Sequence, residues 1–145
     1  MKNNIELLSK TLVKLAKKHG ATSSDSVVMS GESLLIEVRE KTLEKAERSE
    51  AIDLGLRVFV DKKSACVSAS NADTETLNEM AFRAVAMAKE APSDEFNGLA
   101  EPSELSSLTN AELLELCDGS KIQTDPKILQ DLSLAMEEAS RLTDG

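Results

Sequence analysis

Residues 54–70 read LGLRVFVDKKSACVSAS, and this stretch decides the fold. Apolar side chains occupy every second position from Leu54 to Val60, which is the period of a half-buried strand. The polar turn Asp61-Lys62-Lys63 follows, so a β-hairpin is predicted whose second strand runs over 65–70. One side of that strand carries only small side chains, which lets another backbone or a helix approach closely. These side chains are Ser64, Cys66, Ser68 and Ser70.

The segment before this hairpin alternates less regularly. We predict one short strand at 27–29 and another at 34–38, joined at Gly31, and a third at 42–49. The third is mostly charged, so it is expected to be exposed or to lie at a sheet edge. Such an edge either accepts an extended peptide by strand addition or blocks pairing through its charges. The charged residues are Glu44, Lys45, Glu47 and Arg48.

Helical periodicity marks both sides of the predicted sheet. A first helix is expected over about 4–19, and a second over about 74–90, with Asp73 as its N-cap and an end before Pro92. The second helix carries an Ala-rich apolar stripe suited to tight packing on a sheet. The stripe is Leu77, Met80, Ala81, Ala84, Val85 and Ala88.

The last third of the chain reads as a connector followed by helices. Thr109 and Glu112 form a capping box that opens a short helix, and Asp125 with Pro126 opens a longer one. The longer helix carries the apolar residues Ile128, Leu132, Ala135, Met136, Ala139 and Leu142. Such a helix needs something to cover its apolar face.

These elements predict an α+β fold: an N-terminal helix, a mostly antiparallel sheet of about four to five strands with a helix packed on it, and a loop-linked helical extension. The expected organisation is an N-terminal domain at 1–92, a connector at 93–108 and a helical extension at 109–145. We expect the extension to lead into a further part of a longer protein.

Composition disfavours several functions. A net charge of −9 and only three aromatic residues disfavour nucleic-acid binding, which needs clustered cations and stacking rings. No apolar run is long enough to span a bilayer, and two Cys do not make a disulfide framework, so a cytoplasmic location is expected. The lysines of the first helix read as a solvated face or as a docking patch for an acidic partner.

No catalytic, cofactor-binding or metal-binding residue is assigned from the pattern. The single histidine, His19, falls at a helix end, where it favours the helix dipole. Cys66 is expected to be a buried, inert thiol, and Cys117 has no base partner in the sequence. Carboxylate pairs are expected by chance in so acidic a chain. They include Glu37 with Glu44 and Glu137 with Glu138.

The chain resembles the N-terminal region of the TldD/PmbA family. The resemblance rests on GLRVFV at 55–60, on ACVSASN at 65–71 and on the Ala-rich helix that follows. The segments APSD at 91–94 and FNGLA at 96–100 resemble the PmbA (TldE) branch. Asp61 departs from the Gly that the family usually has in the hairpin turn, and Asp118-Gly119-Ser120 replaces a Pro-containing segment.

The resemblance implies the first third of a PmbA-like subunit of a zinc metallopeptidase. In the family, TldD-type subunits hold zinc through an HExxxH motif, and PmbA-type partners lack the ligands. It therefore implies no cofactor in this part of the chain, zinc in a TldD-type partner, a heterodimer, and peptide or unfolded substrates. The associated roles are peptide-antibiotic maturation, antitoxin turnover and an indirect connection to gyrase.

Two other readings remain open. One is a freestanding protein- or peptide-binding module that uses a sheet edge or a helix stripe. The other is a thiol enzyme that uses Cys66 or Cys117.

Overall fold

A computed structural model describes residues 5–108, 113–116 and 125–143. Its elements follow the order α1, β1, β2, β3, α2, a 3-10 turn and α3. Their bounds are α1 Ile5–His19, β1 Ser23–Arg39, β2 Thr42–Val60, β3 Lys63–Ala69, α2 Thr74–Glu90, the turn Pro102–Glu104, and α3 Pro126–Leu142. The α+β class is confirmed. No helix within the described ranges is long and apolar enough to cross a membrane.

The sheet has three strands in the order β1-β2-β3, so the prediction of four to five strands is wrong. β1 runs without a break through Gly31, which has no positive φ and open space where a side chain would be. A strand therefore passes through this glycine without a turn. β2 likewise joins the charged stretch 42–49 to the hairpin strand 54–60, since no Gly or Pro lies between them to start a turn.

The exposure of the charged stretch explains its weak alternation. Every residue from Thr42 to Ala51 is exposed, as expected for 42–49, so neither face of this part of β2 selects apolar side chains. From Leu54 onward the strand gains a partner on its other side. There it pairs with β3 antiparallel, from Leu54 opposite Ala69 to Val60 opposite Lys63.

Cα-contact geometry divides the chain into two units. The first comprises Met1–Gly31 and Ala51–Leu105, and the second comprises Glu32–Glu50 and Ser106–Gly145. The boundaries predicted at 92 and 108 stay predictions.

In the first unit, α1 packs against α2, and α2 packs against β3. The core between the helices and the sheet is aliphatic: the stripe of α2 is buried, and it meets Leu54, Leu56 and Val58 from one face of β2. Leu12 and Ala16 of α1 complete the core with no exposed surface. The small Ala side chains of α2 allow the close helix packing that the sequence predicts.

The limits of α2 coincide with the predicted 74–90. The carboxylate of Asp73 accepts a hydrogen bond from Thr76 N at 2.7 Å, and this bond holds the pKa of Asp73 below its usual value. At the other end, Ala91 N donates to the carbonyl oxygens of Met87 and Ala88 just before Pro92.

In the second unit, α3 begins as predicted, with Asp125 accepting a hydrogen bond from Lys127 N at 2.8 Å and Pro126 at the first helical position. The predicted apolar stripe of α3 is exposed, with Ile128 at 53%, Leu132 at 56% and Met136 at 73% exposure. The half-buried side carries Leu129, Gln130, Ser133, Leu134 and Glu137 instead. The short helix predicted from Thr109 lies mostly outside the described residues; 113–115 form a turn.

Candidate functional site: the free edge of β3 and the groove beside it

β3 has a strand on only one side. It is the last strand in the order β1-β2-β3, and no other strand in the described part of the chain pairs with it. The register shows which of its backbone groups are free. Phe59 accepts a hydrogen bond from Thr22 N at 2.8 Å, so the backbone polar groups of Phe59 point away from β3.

Because hydrogen-bonded and non-hydrogen-bonded pairs alternate along an antiparallel ladder, the same alternation applies to β3. Ser64 lies opposite Phe59, Cys66 opposite Arg57 and Ser68 opposite Gly55. These are the non-hydrogen-bonded pairs. The N–H and C=O groups of Cys66 and Ser68 therefore point outward from the sheet, toward the free edge.

A groove of about 740 Å³ runs beside this edge, between β3 and α2. Val67, Ala69, Met80 and Met87 give it an apolar lining. Its polar residues are Ser68 of β3 and, from α2, Glu75, Thr76, Asn78, Glu79 and Arg83. The groove thus offers an apolar surface directly alongside unpaired strand backbone.

The charges of the groove are unpaired. Glu75, Glu79 and Arg83 are exposed, and none of them forms an ion pair within the described ranges. Glu75 and Glu79 lie one helical turn apart on α2, so their carboxylates project from the same side. Two carboxylates and one guanidinium leave the groove with a net negative charge.

The long exposed part of β2 differs from β3 in carrying charged side chains along its free edge. Over Thr42–Asp53 no β3 residue pairs with it, and its side chains form ion pairs: Lys45 with Glu47 at 2.7 Å, and Arg48 with Glu32 at 2.7 Å. Charged side chains of this kind block edge-to-edge pairing. Of the two alternatives, the structure favours the charge-protected edge for this segment.

The face of the sheet opposite α1 and α2 carries a second, shallower groove of about 490 Å³. Arg57 is one of its lining residues: Nε donates to Asp25 Oδ1 at 2.9 Å, and Nη2 donates to Oδ2 at 2.5 Å. This bidentate bond with Asp25 raises the pKa of Arg57. The guanidinium also lies 5.3 Å from the centre of the Phe59 ring. The Arg57 side chain is therefore held by Asp25 and by the Phe59 ring.

The connector closes one end of that face. Asp94 N donates to Lys62 O at 2.9 Å, and Asn97 Nδ2 donates to Ser64 Oγ at 2.9 Å. Ser64 is therefore occupied by the connector, whereas Cys66 and Ser68 are exposed.

His19 has a packing role. Its Nε2 lies 3.1 Å from Asn78 Oδ1, and its ring contacts the Phe82 ring edge-on at a centroid distance of 5.8 Å. Both partners belong to α2, so His19 links the end of α1 to that helix. The predicted place at the helix end is confirmed, because α1 ends at His19.

The expectation that Cys66 is buried is wrong. Its side chain is exposed, because alternate residues of β3 face the side of the sheet that neither helix covers. Arg57, which lies opposite Cys66 on β2, is bonded to Asp25. Cys117 lies outside the described residues.

The carboxylates of the two pairs named from the sequence are either bonded within the chain or exposed. Glu44 pairs with Arg39 at 3.5 Å, and Glu37 is an exposed residue of β1. Glu137 accepts hydrogen bonds from Glu40 N and Lys41 N, while Glu138 is exposed. Among the residues that the structure describes, no group of three His, Cys, Asp or Glu side chains is placed to hold a metal ion.

The groove was not found from the sequence. Its side chains come from the polar side of α2, which helical periodicity treats as solvated surface. Two features of the sequence could have pointed to the groove. One is the strand of uncharged residues at 64–70, and the other is the pair of acidic residues one turn apart on the next helix, Glu75 and Glu79.

Comparison with known proteins gives a match to one family model over part of the chain and a shared fold. Residues 25–88 match the model for PmbA/TldA metallopeptidase domain 1. This segment covers β1, β2, β3 and nearly all of α2. No curated protein sequence matches the chain.

Two solved structures share the fold. TldE from Thermococcus kodakarensis has a TM-score of 0.67 and 20% identity over 94% of this chain. A candidate modulator of DNA gyrase from Bacteroides thetaiotaomicron has a TM-score of 0.63 and 18% identity over 73% of it. The chain spans 30% and 24% of the length of these two proteins, respectively.

Proposed function

We propose that this chain, which carries the first domain of the PmbA/TldD metallopeptidase family at residues 25–88, is the non-catalytic N-terminal module of a PmbA/TldE-like subunit. The observation that carries the proposal is the similarity to TldE, which extends over 94% of the chain and so includes segments on both sides of the family match. The subunit would work with a TldD-type partner as a zinc-dependent peptidase in the cytosol.

The side chains present do not fit a zinc site. An HExxxH motif needs two histidines, and these 145 residues contain one. That one, His19, is engaged with Asn78 and Phe82 at the α1–α2 contact. No catalytic step is therefore assigned to this chain, and we place the zinc in the partner subunit.

The exposed apolar face of α3 supports a role within a larger assembly. Leu132, Met136 and Leu142 are 56%, 73% and 80% exposed. A contiguous apolar surface on a soluble protein commonly marks a site of protein–protein contact. The module would contribute to assembly and to the walls of the space that admits a peptide.

The test is co-expression of the complete reading frame with a TldD-type subunit from the same genome, with an affinity tag on this chain only. We expect the two subunits to co-elute from the affinity column and from size exclusion. Elution of the partner in the flow-through, with no complex after mixing the purified subunits, would contradict the proposal. The test concerns assembly alone and makes no use of the β3 groove.

A further inference from the structure

We propose that the β3 groove binds an extended peptide segment carrying Lys or Arg, which pairs with β3 and extends the sheet as a fourth strand. This inference concerns the chain by itself and does not rest on association with a TldD-type subunit. It combines three properties of the groove: free backbone groups, an edge without charge protection, and an apolar wall with unpaired carboxylates.

The backbone of β3 supplies the main-chain hydrogen bonds. The outward N–H and C=O groups of Cys66 and Ser68 have no backbone partner within the described ranges. An extended segment aligned with β3 would satisfy them in the way that one sheet strand satisfies the next. Main-chain pairing of this kind accepts many sequences, since it uses no side chain.

The side chains of β3 do not oppose such pairing. After Lys63 the strand reads SACVSA, without a charge or a proline. Proteins usually protect free edges with charged side chains or proline, and this chain does so at Thr42–Asp53. Charged side chains therefore protect this part of β2, whereas the free edge of β3 has no such protection beyond Lys63, and the groove lies beside it.

The wall formed by α2 selects the side chains of the added strand. Successive side chains of a strand point to opposite faces, so every second side chain of the peptide would lie over α2. There the aliphatic stems of Lys or Arg side chains pack along the apolar lining of the groove, and their charges face Glu75 and Glu79. This arrangement favours a basic peptide over a second copy of this chain, whose net charge is −9.

The probe is an eight-residue peptide of alternating Val and Lys, acetylated and amidated at its ends, added to the 15N-labelled 145-residue chain. We expect saturable binding and slower hydrogen exchange at the amides of Cys66 and Ser68. N-methylation of one alternate set of peptide residues should abolish binding, because it removes the donors that face β3. A Val/Glu peptide of the same length should bind at least tenfold more weakly, given two charge pairs.

The matched protein variants are Glu75→Lys/Glu79→Lys and the control Glu90→Lys/Glu95→Lys. Both change the net charge equally, but only the first lies in the groove. We expect about tenfold weaker binding of the Val/Lys peptide by the first and no change in the second. The proposal would be overturned if the peptide did not bind at millimolar concentration or if both variants bound it with equal affinity. It would also be overturned if the peptide protected amides other than those of Cys66 and Ser68. A dimer of the free chain in which β3 is already protected would overturn it as well.

Discussion

The carboxylate of Glu137 on α3 binds the hairpin turn at Lys41. Its Oε2 accepts from Lys41 N at 2.9 Å, and its Oε1 accepts from the adjacent Glu40 N at 2.8 Å. Glu40 and Lys41 have φ values of 51° and 62°, so both residues of the turn are left-handed. Such turns normally use Asn or Gly. Here a remote carboxylate stabilises a turn made of unfavourable residues.

Replacing Glu137 by Gln should loosen this turn. The amide has only one oxygen and no charge, so at least one of the two backbone bonds is lost or weakened. Hydrogen exchange of the Glu40 and Lys41 amides should become faster, while the amides of α2 stay unchanged. Glu138→Gln, one residue away and exposed, is the matched control. Equal exchange in the wild type and Glu137→Gln would refute the role of this carboxylate.

The same interaction should depend on pH. The pKa of Glu137 is lowered, first by the hydrogen bond from Arg141 and next by the bond from Lys41 N. A lowered folded-state pKa means that the stabilisation is present above the usual Glu value of about 4.3 and is lost as the pH falls through the folded-state pKa. The amide shifts of Glu40 and Lys41 should titrate together with a midpoint below the usual Glu pKa. A midpoint above that value would contradict the assignment.

The hairpin of residues 54–70 should carry the stability of the first unit. Leu56 is 1% exposed and belongs to the core between β2 and α2, so Leu56→Ala should lower the free energy of unfolding by about 2–5 kcal/mol. Met29→Ala is the control. Because Met29 is 63% exposed, its replacement should change the free energy of unfolding little. Urea unfolding measures both. Similar losses in the two variants would show that the core lies elsewhere.

Asp61 occupies the strained position of the second hairpin. Its φ is 56°, in the left-handed region that Gly adopts freely and Ala does not. Asp61→Ala should therefore be less stable than Asp61→Gly by about 1 kcal/mol. Both variants keep the bond from the backbone N of residue 61 to Thr22 Oγ1, so backbone conformation is the main difference. Equal urea midpoints for the two would mean that the turn relaxes to another conformation.

Much of the fold follows from local sequence signals. The limits of α2, the cap at Asp125 and the hairpin at 54–70 were predictable, since each depends on residues near in sequence. The length of β1 and β2 was not, because Gly31 and the charged stretch 42–49 interrupt the alternation without ending the strand. The polarity of these side chains shows only that they are exposed. The backbone pairing of β1 with β2 continues through the exposed segment, so both strands are longer than the polarity suggests.

The candidate site depends on how separate helices and strands pack together, which the spacing of residues in the sequence does not show. Whether Cys66 is exposed depends on which face of the sheet α1 and α2 cover. The groove depends on α2 lying beside the free side of β3. In the same way, no local signal links Glu137 to a turn almost one hundred residues earlier.

We propose that this chain is a non-catalytic module of a subunit whose partner holds the metal centre. The most direct measurement is the zinc content and peptidase activity of the separately purified complete subunit, a TldD-type subunit and their mixture. We expect no zinc and no cleavage for the subunit that contains this chain, and chelator-sensitive cleavage for the mixture. Zinc-dependent cleavage by that subunit alone would contradict it.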